Sequence, residues 1–356
     1  MLPRLETLRR RIREHNLDAL LVSSLPHIRY LFGFTGSNAL AIIDHESATL
    51  VTDRRYTLQA AQQVSGAEVF IVQKDLYGEL QDVSILKSLS KVGVESHYLT
   101  ARQYFLLREK LPHVELLSTE NLVEKIAAIK DSSEVENIRG AARICVSVFE
   151  EICLMVRPGL RELDISAELS YRAMRAGSER DPFEPIVASG ERSALPHGIS
   201  SNKVLHAGDL VIMDFGATLN GYAADFTRTV VLGEPATGQL VIMHTVEQAL
   251  DLAEQTARPG MPARDLDAAA RRHIASAGFG QSFQHSLGHG LGLNVHEMPR
   301  ISEFSNDTLR PGNVIALEPG IYVAGLGGVR IEDDFLVTPD AVENLTPIAR
   351  EVIRAG

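Results

Sequence analysis

Three histidines lie within one short stretch of the chain, FQHSLGHGLGLNVHEMPR, although the whole sequence contains only 12. They are His285, His289 and His296, and glycines surround them. Imidazoles bind metals and carry protons, but buried histidines also occur as core residues that bond to backbone carbonyls. A metal site needs ligands from several segments, so the histidines alone do not decide between these explanations.

Two carboxylates are predicted to meet upstream of the histidines. The segment VIMDFGATLNGYAADFTRTVVLG, residues 211–233, predicts a β-hairpin whose two-residue turn is Asn220-Gly221. In that register Asp225 is a diagonal neighbour of Asp214 on the same face, with α-carbons about 7 to 8 Å apart. Both side chains can therefore point at one spot.

The C-terminal part of the sequence repeats itself. Residues 157–177 match residues 258–278, and residues 201–216 match residues 305–320, in the same order and at nearly the same offset. The repeat predicts a duplicated α+β unit with a pseudo-twofold axis. Asp214 then corresponds to Glu318, and the strand VRIEDDFLV, which follows the turn GLGG, places Glu332 where Asp225 lies in the first half.

Four acidic side chains aimed at one buried point would repel one another strongly unless cations neutralised them. His289 is the expected fifth ligand, because Gly288 and Gly290 beside it allow close backbone approach. This oxygen-rich set favours Mn, Co, Fe or Zn over Cu(I). Two such ions roughly 3.5 to 4 Å apart activate a water molecule, so hydrolysis of a carbonyl compound is the expected chemistry.

Each of these residues taken alone has a plainer explanation. Asp214 and Asp225 could be surface carboxylates of a hairpin, and Glu318, which precedes Pro-Gly, could be a turn residue. Glu332 could form a salt bridge with Arg330, and His289 could be structural. The symmetric placement by the repeat favours the metal site.

The first part of the chain has a different organisation. Residues 1 to about 122 alternate helical patterns with the short apolar runs ALLVSS, ALAIID, ATLVTD, EVFIVQ and KVGVES. This alternation predicts an α/β domain with a mostly buried sheet. A long helix begins near Asp131, Ser132 and Ser133, which are N-cap candidates. We place the boundary before it, giving domains 1–122 and 123–356.

Composition excludes several classes of function. A net charge of −11 argues against binding to nucleic acid, and the basic run RRRIR lies in the second half of an amphipathic helix. No signal-type apolar core opens the sequence, and the longest stretch without Asp, Glu, Lys, Arg or His, residues 30–43, falls short of the ~20 apolar residues of a membrane helix. Cys145 and Cys153 give no disulfide framework. We expect a cytoplasmic protein with reduced thiols and no membrane contact.

The motifs together resemble the pita-bread metallopeptidases, the family of aminopeptidase P, prolidase and methionine aminopeptidase. The matching segments are IVASGERSALPHG, DLVIMDFGA, YAADFTRTV, HSLGHGLGLNVHEMPRIS, ALEPGIYV and GGVRIEDD. The N-terminal half is similar to the smaller domain of aminopeptidase P and prolidase through GFTGSNALAII and LVTDRRYTLQA. The expected fold is thus an α/β domain followed by an α+β pita-bread domain.

The resemblance implies a role for each site residue. Two divalent metal ions, with manganese first among Mn, Co, Fe and Zn, would be held by Asp214, Asp225, His289, Glu318 and Glu332. Asp225 and Glu332 would bridge them. Catalytic or substrate-binding roles would fall to His197, His285, His296, Glu318, Tyr322, Arg330 and Phe183. For Arg330 a substrate contact and support of Glu332 stay open, and Phe183 fits a pocket wall or core packing equally.

The proline-specific branch of the family implies hydrolysis of an Xaa-Pro bond, a tertiary amide without N–H. SGERSALPHG favours a dipeptidase of prolidase type, whereas TDRRYTLQA resembles aminopeptidase P, which acts on longer peptides. Methionine aminopeptidase is disfavoured by the separate N-terminal domain, His285 and Arg330. A metal-free binding module, or a metal-free hydrolase of guanidino compounds like creatinase, would have lost ligands. The implied partners are a proline-containing di- or oligopeptide and a second copy of the chain.

Overall fold

The computed structural model describes residues 2–351 and 353–355. The chain forms two compact units, Met1–Ala127 and Ala128–Gly356. The first unit ends at Ala127 because a short helix, Glu124–Ala127, contacts the N-terminal helix of that unit. Among the described residues, no helix has both the length and the apolar character needed to cross a bilayer.

The first unit is built on one mixed sheet. Its strands are β1 (Ala19–Val22), β2 (Ala39–Asp44), β3 (Ala48–Asp53), β4 (Glu68–Val72), β5 (Lys91–Glu95) and β6 (Glu115–Thr119), in the order β4-β3-β2-β1-β5-β6. Its helices are α1 (Leu2–Glu14), α2 (Leu25–Phe32), α3 (Thr57–Gln63), α4 (Ala101–Lys110) and α5 (Glu124–Ala127). The central strands β1, β2 and β3 are almost wholly buried, so the predicted α/β domain is confirmed.

The second unit contains four α-helices and eleven strands among its described residues. The helices are α6 (Ser132–Cys153), α7 (Glu162–Arg175), α8 (Thr237–Thr256) and α9 (Ala263–Ser276). The strands are β7 (Ile186–Ser189), β8 (Leu210–Leu219), β9 (Tyr222–Leu232), β10 (Gly288–Gly290), β11 (Glu297–Ile301), β12 (Val314–Leu317), β13 (Gly320–Val323), β14 (Gly327–Arg330), β15 (Asp333–Val337), β16 (Val342–Asn344) and β17 (Ile353–Ala355). They form the sheets β17-β9-β8-β7, β11-β10-β12-β15-β16 and β13-β14.

The internal repeat is visible in the elements themselves. Helices α7 and α9 have 14 residues each and occupy matching places in the two repeated segments. Strands β8 and β12 begin at Leu210 and Val314, which are also equivalent in the repeat. Apart from β17, which comes from the C-terminal end of the chain and pairs with β9, the two larger sheets therefore derive from the two halves of the duplicated unit, as the sequence predicts.

The long helix α6 supports the first of these sheets. Asp131 caps it by accepting bonds from the backbone N–H groups of Ser133 and Glu134, which confirms the predicted start. Its buried face carries apolar residues at helical spacing and packs on β8 and β9, with the rings of Phe149 and Phe226 5.4 Å apart. The helix thus backs the hairpin that carries Asp214 and Asp225.

The second half departs from the predicted continuous strand. VRIEDDFLV divides into β14 and β15, and Glu332 lies between them. On the partner side the pairing is interrupted at Pro319, which has no N–H to donate. The N–H of Glu332 donates instead to the carbonyl of Thr227 in the other half, at 3.0 Å. At this break, a backbone hydrogen bond therefore connects the two halves of the repeat.

Candidate metal centre

The first pair of carboxylates is positioned by the hairpin turn. Asn220 and Gly221 both have positive φ, 50° and 84°, as a two-residue hairpin turn of this type requires. The register pairs Asp214 with Thr227 and Gly216 with Asp225. Asp214 and Asp225 are therefore diagonal neighbours, and the prediction from the sequence is confirmed.

His289 is positioned by close approach of three strands. It lies at the centre of β10, between β11 and β12, opposite Arg300 and Ala316. A β-carbon at Gly288 would lie 1.9 Å from the carbonyl oxygen of Ala316, and one at Gly290 would lie 2.1 Å from that of Met298. The two glycines are thus required by backbone packing, as expected.

Gly288→Ala is predicted to lower the free energy of unfolding by about 1–3 kcal/mol, the usual cost of overpacking. The obstacle is a strand carbonyl, which cannot rotate away. Urea denaturation of the metal-free protein measures the effect. Gly238→Ala in α8 is the control, because a β-carbon there would meet the flexible side chain of Leu326, with Cδ1 nearest at 3.1 Å, and alanine favours helix. Equal stability of the two variants would contradict this account of the glycine.

Three of the five predicted ligands converge directly. Ligand atoms of Asp225, His289 and Glu332 all lie within 4.8 Å of one another, and all three residues are buried. Nε2 of His289 is 3.8 Å from Oδ2 of Asp225 and 3.8 Å from Oε1 of Glu318. Glu318 therefore borders the same cluster.

The electrostatics of the cluster suit a cation. Burial raises the pKa of Asp225 and Glu318 well above the ordinary carboxyl range, and neighbouring carboxylates raise it further. Burial likewise raises the pKa of Glu332 to about 8, with a further contribution from Asp214. A positive ion at this point would offset both the cost of burying charged carboxylates and the repulsion between them.

The surroundings of His289 favour a neutral imidazole whose Nε2 is free to bind a metal. Burial lowers its pKa to about 3, so the uncharged imidazole is favoured. Nδ1 lies 3.1 Å from the carbonyl oxygen of Gly290, which can only accept, so Nδ1 carries the proton. The lone pair of Nε2 is then directed toward the carboxylates, the arrangement found in metal-binding histidines.

Two oxygens in the cluster lack a partner. Oδ1 of Asp225 and Oε1 of Glu332 are buried and make no hydrogen bond among the described residues. Buried polar atoms are rarely left unpaired in proteins. A divalent cation between them would satisfy both, so the residues present fit a metal ion.

Asp214 is held differently from the other acidic residues. Its carboxylate contacts the guanidinium of Arg330, which is only 2% exposed. Nη1 of Arg330 also donates to the hydroxyl of Tyr322 at 2.8 Å and to the carbonyl oxygen of Pro196 at 2.9 Å. The sequence left two roles open for Arg330, a substrate contact and support of Glu332. In the structure its guanidinium pairs with Asp214 instead, and no described contact joins it directly to Glu332.

A cavity of about 420 Å³ opens beside the cluster. Its wall contains six of the predicted site residues, His197, His285, His289, His296, Glu318 and Arg330, together with Pro196, Ser286, Gly288, Glu297 and Arg300. Tyr322 is buried behind this wall, and Phe183 is half-buried near Gly216 rather than on the cavity surface. The volume is near the lower end of the range for small-molecule sites, roughly 300–1,000 Å³.

Comparison with known proteins supports this architecture. Residues 136–339 match the model of Metallopeptidase family M24, and residues 4–129 match the Creatinase/Prolidase N-terminal domain. The chain belongs to metallopeptidase family M24. It is therefore a metal-dependent hydrolase with a pita-bread domain, and the predicted fold and enzyme class are confirmed.

Individual relatives of this family align over almost the whole chain. The chain is 36% identical to an Xaa-Pro dipeptidase of Pyrococcus horikoshii, over 96% of this chain and 95% of the relative. A solved Xaa-Pro dipeptidase from Bacillus anthracis superposes with a TM-score of 0.96 at 37% identity, covering 99% of both chains. A solved X-Pro aminopeptidase from Thermotoga maritima gives a TM-score of 0.89 at 35% identity, covering 97% of this chain and 100% of that chain.

The three histidines of the glycine-rich segment have different surroundings in this metallopeptidase. Nδ1 of His285 lies 2.9 Å from the carbonyl of Ser286 and must donate, so Nε2 accepts from Tyr322 at 2.9 Å. Burial lowers the pKa of His285 to about 4. Both nitrogens of His285 are thus engaged. His296, whose ring lies 4.4 Å from that of His289, is exposed to the cavity.

Several residues of the site were not predicted from the sequence. Glu297 and Arg300 line the cavity, and Thr227 and Asp334 bond to the predicted ligands Glu332 and Asp225. One signal pointed to the latter pair. Thr227 follows Asp225 by two residues, and Asp334 follows Glu332 by two, so in an extended chain each lies on the same face as a ligand.

Proposed function

We propose that this protein is an Xaa-Pro dipeptidase that uses two divalent metal ions to hydrolyse dipeptides with a C-terminal proline. The observation that carries the proposal is the cluster of Asp225, His289 and Glu332 beside a cavity of about 420 Å³. The wall of this cavity contains Arg300, whose guanidinium forms no ion pair with any described residue. The names of the Pyrococcus and Bacillus anthracis relatives support the same substrate class.

The proposed ligands are Asp214, Asp225, His289, Glu318 and Glu332. When bound, two divalent cations would polarise the scissile carbonyl and lower the pKa of a water molecule toward neutrality. We infer manganese as the resident ion, because four carboxylates and one imidazole form a predominantly hard donor set. Metal analysis of protein purified without added metal tests this identity.

The remaining cavity residues would serve the substrate. His296 would donate a hydrogen bond to the oxygen that becomes negative during attack. Glu318 would take a proton from the attacking water and deliver it to the departing proline nitrogen. His197, which is exposed at the cavity wall, would donate to a backbone oxygen of the substrate. His285 and Tyr322 would keep Arg330 in place through the hydrogen bonds described above.

Proline specificity follows from what the site recognises. An Xaa-Pro bond is a tertiary amide, so it offers no scissile N–H for an enzyme to bind. Recognition through the carbonyl oxygen and the two ends of the dipeptide does not need that group. A small cavity then favours a compact dipeptide.

Arg300 is predicted to distinguish a dipeptidase from an aminopeptidase. Its guanidinium is exposed in the cavity wall and has no ion-pair partner in the described part of the chain. A free C-terminal carboxylate would pair with it, and such charge-assisted bonds contribute about 1.5–3 kcal/mol. Arg300→Met should therefore lower kcat/KM for Xaa-Pro by about 10- to 100-fold.

The matched control for this prediction is the substrate Xaa-Pro-amide, which lacks the carboxylate. The wild-type enzyme should cleave it poorly, and Arg300→Met should change its kcat/KM little. An equal loss on the acid and the amide would show that Arg300 does not read the carboxylate.

One assay tests the proposed function as a whole. Protein reconstituted with manganese or cobalt is offered Xaa-Pro and Xaa-Pro-Yaa, and release of Xaa is measured. Cleavage of the dipeptide alone supports the proposal. Efficient cleavage of the tripeptide would favour the second candidate, an Xaa-Pro aminopeptidase, as the name of the Thermotoga maritima structure suggests. Failure to cleave either peptide with metal bound would overturn both.

We also infer that the protein is a cytoplasmic homodimer. Two free cysteines, Cys145 and Cys153, are consistent with a reducing compartment. Sedimentation equilibrium of the purified protein tests the dimer, and fractionation of cells tests the location.

A further inference from the structure

We propose that Thr227 is a positioning residue that fixes which oxygen of Glu332 is available to a metal ion and thereby sets metal affinity. The inference rests on the proposed metal centre but not on the identity of the substrate. Thr227 is fully buried in β9, and its Oγ1 lies 2.7 Å from Oε2 of Glu332.

The direction of this hydrogen bond follows from the chemistry of the two groups. A carboxylate that binds a metal is ionised and can only accept, so the Thr227 hydroxyl must donate its single proton to Oε2. Nε of Arg330 lies 3.4 Å from the same hydroxyl oxygen and donates to it. The hydroxyl therefore cannot turn away without losing both contacts.

The consequence is an asymmetric carboxylate. Oε2 of Glu332 is engaged by Thr227, while Oε1 is buried with no hydrogen-bond partner in the described part of the chain. The free Oε1 is the atom left for a cation. Without the hydroxyl, rotation of the carboxylate would no longer be restricted, and binding a metal would require ordering it first.

The rest of Glu332 is held by the same strand. Its N–H donates to the carbonyl of Thr227 at 3.0 Å, and its carbonyl accepts from Nη1 of Arg228 at 2.6 Å. Backbone and side chain of this ligand are thus fixed by two consecutive residues from the other half of the repeat. Through Arg330 the same hydroxyl is linked to Asp214, so Thr227 connects ligands that derive from both halves.

Threonine offers both a donor and a restricted side chain. Branching at the β-carbon limits χ1, so the hydroxyl is held in one orientation inside the strand. Thr227→Val keeps the shape and removes the donor, whereas Thr227→Ser keeps the donor. Comparison of the two variants separates hydrogen bonding from packing.

The test is calorimetric titration of the metal-free protein with manganese. Thr227→Val is expected to weaken manganese binding about 10- to 100-fold, the usual effect of removing a group that orients a metal ligand. Thr227→Ser should bind nearly as tightly as the wild type. Thr229→Val is the control, because Thr229 lies on the same face of β9 and is 3% exposed. Among the described residues its hydroxyl bonds only to the backbone of Arg330.

Several outcomes would overturn the inference. They are wild-type affinity in Thr227→Val, equal weakening in the serine and valine variants, and a wild-type protein that binds no divalent ion. If Thr227→Val does not fold, Thr227→Ala provides the same comparison with the serine variant. Because manganese binding is measured without substrate, a wild type that binds metal but cleaves no Xaa-Pro peptide would refute the proposed function alone.

Discussion

Asp225→Asn is expected to lower peptidase activity by at least about a thousandfold and to weaken manganese binding, while stabilising the metal-free protein. The loss of activity follows because the substitution removes a carboxylate that is a proposed metal ligand. Several kcal/mol of transition-state stabilisation are then lost, and each 1.36 kcal/mol is tenfold in rate. The gain in stability follows because Asp225 is buried beside Glu332, Asp214, Asp334 and Glu318, which disfavour its charge.

The stability gain should depend on pH in a defined direction. Burial raises the pKa of Asp225, and that of Glu332 reaches about 8, whereas unfolded carboxyls titrate near 4. The unfolded chain then binds fewer protons than the metal-free fold at intermediate pH, so stability falls as pH rises from about 4 to 8. The asparagine variant removes one such group, so its advantage over the wild type should be small near pH 4 and larger near pH 8.

Urea denaturation after chelation, at pH 5 and pH 8, measures this difference, and calorimetry measures manganese binding. Asp340→Asn is the control, since Asp340 is exposed and distant in sequence from every proposed ligand except Glu332. It should change neither quantity. If Asp225→Asn were less stable than the wild type in the absence of metal, mutual repulsion would not be what the metal relieves.

Much of this site was predictable because local rules fix its register. An Asn-Gly turn determines which residues of β8 and β9 face one another, and alternation along the strands then places Asp214 and Asp225 on one face. The repeat carried that prediction into the second half, where no comparable turn identifies Glu318 and Glu332. Gly288 and Gly290, on either side of His289, predicted close backbone packing without any knowledge of the neighbouring strands.

The missed features are contacts between segments far apart in the chain. No residue near Glu332 in the sequence indicates that its backbone pairs with Thr227, which lies 105 residues earlier in the other half of the repeat. Sequence alternation places Thr227 on the same face as Asp225, but it does not reveal which side chain of the other half lies opposite. The partner of Arg330 was undecided for the same reason, since an arginine can reach several acids and only the fold selects one.

Arg330→Met should destabilise the metal-free protein by about 3–5 kcal/mol, the cost of breaking a buried ion pair by removing one member. The guanidinium of Arg330 is the charged partner of Asp214, and its side chain is only 3% exposed. Its loss leaves that carboxylate beside the acidic groups of the cluster without its ion-pair partner. The hydroxyl of Tyr322 and the carbonyl of Pro196 lose a donor as well.

Manganese should reduce this deficit, because bound cations would neutralise the charge that Arg330 no longer balances. The free energy of unfolding of Arg330→Met and of the wild type is therefore compared with and without the metal. The control is the double variant Asp214→Asn/Arg330→Met, in which both charges are absent. In metal-free protein the double variant should be more stable than Arg330→Met alone. Removing both members of a buried ion pair lowers the free energy of unfolding less than leaving one charge buried without its partner. If the two substitutions were simply additive, Arg330 would act through packing and its hydrogen bonds to Tyr322 and Pro196, and the charge of Asp214 would be balanced by something else.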